Sequence, residues 1–90
     1  MSRAVRVIIS GRVQGVGFRY WTEREANKLA LDGWVRNLPD GTVEALFAGS
    51  DEGVATMVQR CHEGPRFASV KNVESFEADV PTVPGFTQYR

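Results

Sequence analysis

A single cysteine, Cys61, and a single histidine, His62, in 90 residues set the first limits on this chain. One thiol allows no intramolecular disulfide, and one imidazole among scattered carboxylates offers no ligand cluster with recognisable metal spacing, so no metal is expected. The start of the chain runs straight into strand-like sequence with no apolar secretory segment, which makes the cytoplasm the expected compartment. Net charge is missing too: 11 Lys and Arg balance 11 Asp and Glu, leaving no bulk basic character to hold nucleic acid or an anionic membrane. There are no internal repeats, low-complexity runs or linkers. Ninety residues supply one core and no second folding unit, so a single domain spanning 1–90 and a compact monomer are expected. A nucleotide cofactor is disfavoured as well, because no GK[ST] follows the glycines of the first half and the G-x-G-x-x-G order is absent.

What the chain does have is concentrated in GRVQGVGFRY, residues 11 to 20, where Gly11, Gly15 and Gly17 follow an apolar strand and Arg19 comes just after them. Glycines permit close backbone approach, and the loop empties into a helix start whose first amides lack internal partners. Such a loop can offer N–H groups to an anion while Arg19 adds a planar charged fork. The charge distribution agrees with this. Residues 1 to 36 carry seven basic side chains against three acidic ones, and the remainder carries four against eight, so a local positive field surrounds the glycine loop.

The periodicities predict a β-α-β-β-α-β order. Val5, Val7 and Ile9 alternate in a first strand over Arg3 to Ser10, whose second face is also mostly apolar, as in a central strand. Phe18, Thr22, Ala26, Leu29 and Ala30 share a helical face from Phe18 to Leu31, ended by Asp32-Gly33. GWVRN at 33–37 and TVEALFAG at 42–49 flank the turn Leu38-Pro39-Asp40-Gly41 as a hairpin, in which Asp40 reads as a turn residue and Glu44 as an exposed strand residue. Ser50 or Asp51 caps a second helix carrying Val54, Met57, Val58 and Cys61 on one face, and Gly64-Pro65 stops it. A last strand covers Ser69 to Val80, after which PGFTQYR has room for a short edge strand. With right-handed crossovers this is an α+β, ferredoxin-like split βαβ fold: a four-stranded antiparallel sheet with two helices on one face.

GRVQGVGFR at 11–19 and GWVRNLPDGTVE at 33–44 together resemble acylphosphatase, the small ferredoxin-like hydrolase of acyl phosphates, in order and spacing over nearly the whole chain. The resemblance implies that backbone amides of Gln14, Gly15, Val16, Gly17 and Phe18, with Arg19, bind the phosphoryl group of a small acyl phosphate. It also implies that Asn37 positions the attacking water. The stretch GPRFASVKNVE at 64–74 departs from the family's pattern at Arg66, Phe67 and Ser69, which touches a loop and not the presumed site.

Residue chemistry is compatible with that activity and requires no cofactor. The carboxylate of an acyl phosphate leaves readily without a general acid, so catalysis reduces to holding phosphoryl oxygens and placing a water in line. Alternatives remain at the level of residues. Asn37 beside a hairpin equally suits the turn itself, and a glycine-rich connection is often only a tight connection. The same element order serves RNA-binding domains, but TVEALFAG lacks their basic and paired aromatic pattern, and the aromatics read as core with one at the site rim. Cys61 reads as a small core hydrophobe and His62 as a surface cap. A rival function is a non-catalytic ferredoxin-like module that binds a phosphorylated ligand. A third is a domain fused to carbamoyl-transfer machinery, against which the chain ending at Arg90 without zinc-ligand clusters is expected to speak.

Overall fold

In the computed structural model, residues 2–89 are described. The elements are β1 (Ser2–Arg12), α1 (Phe18–Lys28), β2 (Asp32–Asn37), β3 (Val43–Ser50), α2 (Asp51–Cys61), β4 (Ser69–Ala78) and β5 (Phe86–Gln88). They form one sheet in the order β4-β1-β3-β2-β5. β1 is central, as its two apolar faces predict, and pairs antiparallel with both β3 and β4. Both helices lie on one face. Phe18 and Ala26 of α1 and Val54, Met57 and Cys61 of α2 enter the same core as Val5, Val7, Ile9, Val35, Ala45 and Phe47 of the sheet.

The four-stranded antiparallel sheet expected from the sequence is corrected to five strands, since β5 pairs in parallel with β2. Pro81 and Pro84 interrupt the chain after β4. Gly85 then docks on β2 through its N–H to Asp32 Oδ1 (2.8 Å) and its carbonyl to the Gly33 N–H (3.0 Å). Phe86 stacks on Phe47 at 5.9 Å between centroids, so a three-residue strand is fixed by a buried aromatic and not by its ladder alone.

The first helix also ends earlier than Asp32-Gly33 suggests. Ala30 adopts φ 56° and the Leu31 N–H donates to Ala26 O at 3.0 Å, a left-handed closure of the kind glycine normally provides. Burial of Leu31 offsets the roughly 1 kcal/mol that a β-carbon costs in that region. Gly33 instead lies inside β2, so close to the Leu46 carbonyl that no β-carbon fits.

Glu44 is the second correction: it is only 7% exposed. Arg6 Nη1 donates to its Oε2 at 2.9 Å and Arg36 Nε to its Oε1 at 2.6 Å. The two guanidinium groups lie over Phe76 and Trp34, at 4.7 and 5.1 Å from the ring centroids. The helix-free face of the sheet is thus covered by its own long side chains, which bury Ala4, Leu46 and Ala48 beneath them.

Candidate active site

Four short segments meet at one end of the sheet. The register of β1 against β4 shifts between Ser10 and Gly11, a local irregularity just before the loop. Val13 is buried, Val16 packs against the core, and Gly15 and Gly17 take φ 73° and 79° with open space where a β-carbon would stand. Their role is therefore conformational: left-handed geometry lets the loop curl tightly ahead of the helix.

Gly17 is also the N-cap of α1, and it brings no side-chain cap; the first turn holds no acidic residue. Trp21 N–H to Gly17 O, at 3.0 Å, is the first internal bond of the helix. Among the described residues, the N–H groups of residues 14 to 20 have no acceptor within the protein. The second helix is finished differently: Ser50 Oγ accepts from Gly53 N–H, and Asp51 and Glu52 occupy its first turn. The helix whose positive end stays open is the one that follows the glycine loop.

Arg19 lies in that first turn, half-buried, with Nη1 donating to Tyr89 O at 2.8 Å. The C-terminal segment thus holds one edge of the guanidinium, leaving other N–H donors for an anion. Asn37 ends β2 opposite Val43. Its Oδ1 is buried and has no hydrogen-bond partner, an arrangement that typically costs about 1–3 kcal/mol and calls for an explanation at a residue that lines the cleft.

Gly15, Gly17, Phe18, Arg19, Tyr20 and Asn37, with Val13 and Gln88, line one cleft of about 110 Å³. Sites that engulf a drug-sized ligand are about 300–1,000 Å³, so this cleft suits a tetrahedral anion whose remainder stays outside. Of the cradle expected from sequence, Gly15, Gly17, Phe18 and Arg19 line the cleft beside Asn37. Gln14 and Val16 do not; the Gln14 side chain turns to the hairpin and Val16 to the core.

Sequence reasoning missed Val13, Tyr20 and Gln88 as lining residues. Tyr20 adjoins Arg19 and is 58% exposed, so it is the aromatic at the rim. No local signal marks Gln88, whose place depends on how β5 docks. Cys61 is buried with its thiol pushed up to about 12 by desolvation, which removes it as a nucleophile. Among the described residues no three His, Cys, Asp or Glu side chains converge to hold a metal, and no helix is long and apolar enough to cross a membrane.

Comparison with known proteins points the same way as this geometry. A family model described as acylphosphatase matches residues 5–88. The chain is 63% identical over 75 residues to an acylphosphatase of Nitrobacter winogradskyi, covering 82% of this chain and 76% of that one. It is 53% identical over 83 residues to an acylphosphatase of Rhizobium etli, covering 92% and 88% respectively. The crystal structure of acylphosphatase from Bacillus subtilis superposes with a TM-score of 0.94 at 36% identity, over 100% of both chains. Matched by the family model over nearly all its length and by close relatives over most of it, this chain belongs to the acylphosphatase family.

Proposed function

We propose that the protein hydrolyses acyl phosphates to a carboxylate and orthophosphate without a metal, by attack of water on a phosphoryl group held in the loop of residues 14 to 19. The unpartnered N–H groups of the loop and helix start, with the guanidinium of Arg19, hold the non-bridging oxygens and take up charge as it spreads over them. Asn37 Oδ1 accepts a hydrogen bond from the water and aims its lone pair along the line opposite the acyl oxygen. The new P–O bond forms as the bond to the acyl oxygen breaks, and the carboxylate departs unprotonated. An amide is no base, so the proton of the water passes to a phosphoryl oxygen.

The observation that carries this reading is the unpartnered buried Oδ1 of Asn37 in the same cleft as Arg19 and the open amides. A phosphate-binding module needs the amides and the arginine, but has no use for an asparagine left with an unpartnered buried oxygen beside them. The test is hydrolysis of benzoyl phosphate by purified protein with and without a chelator. Equal acceleration in both is expected. Binding of orthophosphate without hydrolysis would leave only the module, and activity lost on chelation would end the metal-free mechanism.

A further inference from the structure

The two halves of the cleft come from strands that are not neighbours. The glycine loop leaves β1, Asn37 ends β2, and β3 lies between them, so no ladder hydrogen bond joins the cradle to the amide that faces it. One side chain spans the gap. Gln14 Nε2 donates to Leu38 O and to Thr42 O, both at 2.8 Å. These carbonyls form the mouth of the hairpin turn: Leu38 N–H donates to Thr42 O at 2.9 Å and Gly41 N–H to Leu38 O at 3.1 Å. Leu38 directly follows Asn37. Both donors of a primary amide are thus spent on the turn that carries the water-facing residue, whose own side chain has no hydrogen bond to fix it through Oδ1.

We infer that Gln14 is a positioning residue, whose side chain sets the distance between the phosphoryl cradle and Asn37; the inference rests on the proposed reaction. Its backbone belongs to the loop and its amide to the turn, so it holds the attacking water relative to phosphorus and not the phosphate itself. In-line transfer is sensitive to such placement, with a 1 Å error costing on the order of 100-fold.

The experiment follows kcat for benzoyl phosphate and competitive inhibition by inorganic phosphate. Gln14→Ala is expected to lower kcat by roughly 10- to 100-fold while the phosphate inhibition constant moves less than about threefold. Placed on Asn37→Ala, the same substitution is expected to cost less than about twofold, because the residue it acts through is already gone. Multiplying losses, an unchanged kcat, or a phosphate constant that rises in step with the fall in kcat would overturn the inference. Gln14→Glu supplies a second readout should the alanine variant not fold. Its carboxylate faces two carbonyl oxygens, and protonation restores one donor, so its kcat relative to the unsubstituted protein should climb as pH falls from about 8 to about 5. A flat ratio would overturn the inference. If the unsubstituted protein itself fails to hydrolyse benzoyl phosphate, the functional reading falls; if it is active and Gln14 is indifferent, this inference falls alone.

Discussion

Arg19 and Asn37 face one cleft but are held in opposite ways. The arginine is tied to Tyr89 O, whereas the asparagine presents an acceptor with nothing to accept from. Their removal should therefore produce defects that differ in kind. In the proposed reaction Arg19→Ala takes away contacts to the phosphoryl oxygens, so both phosphate inhibition and turnover should suffer, with kcat down on the order of 100- to 1,000-fold. Arg19→Lys should recover little, since an ammonium supplies charge without the planar fork. Asn37→Ala should lower kcat and leave competitive inhibition by phosphate nearly intact. Steady-state kinetics on the three variants checks the contrast, and loss of phosphate binding in a folded Asn37→Ala protein would assign the amide to the cradle instead. Arg19 was legible in the sequence because its neighbours along the chain already imply an open helix start. Asn37 was legible only through the family motif, because a buried orphan oxygen is a tertiary property.

At the scale of elements, what the sequence predicted well was whatever repeats locally. The alternation of β1, the apolar stripe of α2 and the turn at residues 38–41 all stand in the structure. The departures share another cause, which is a partner distant in sequence. Glycine at position 33 looked like a helix stop, yet the stop is Ala30, held left-handed because Leu31 is buried. The strand β5 depends on Asp32 and Phe47, and neither can be read from residues 86–88. Glu44 looked exposed by alternation and is instead sandwiched between Arg6 and Arg36. That triad belongs to the helix-free face, remote from the reacting groups by sheet side. Glu44→Ala leaves two like charges facing each other, still partly reached by water, and should cost about 1–3 kcal/mol of stability. Urea unfolding checks the loss. Benzoyl phosphate turnover by the folded variant should stay within about twofold, and a larger fall would mean that the face is coupled to the cleft.

For the molecule as a whole, the fold brings a loop after the first strand, the end of the second and the last residues before the C-terminus to one end of a sheet. Each contributes something the others lack: open amides from residues 14 to 18, an unpartnered acceptor from Asn37, and a carbonyl from Tyr89 that holds the guanidinium. The cleft, at about 110 Å³, has room for a tetrahedral head group with the acyl part outside, and the proposed reaction accordingly places the chemistry at phosphorus and not at the acyl carbon. Hydrolysis of benzoyl phosphate in heavy-oxygen water tests that claim most directly, because the label reports which atom the water attacked. Mass spectrometry of the products should find the heavy oxygen in orthophosphate with benzoate unlabelled; label in the benzoate carboxyl group would place the attack at the acyl carbon and contradict the account.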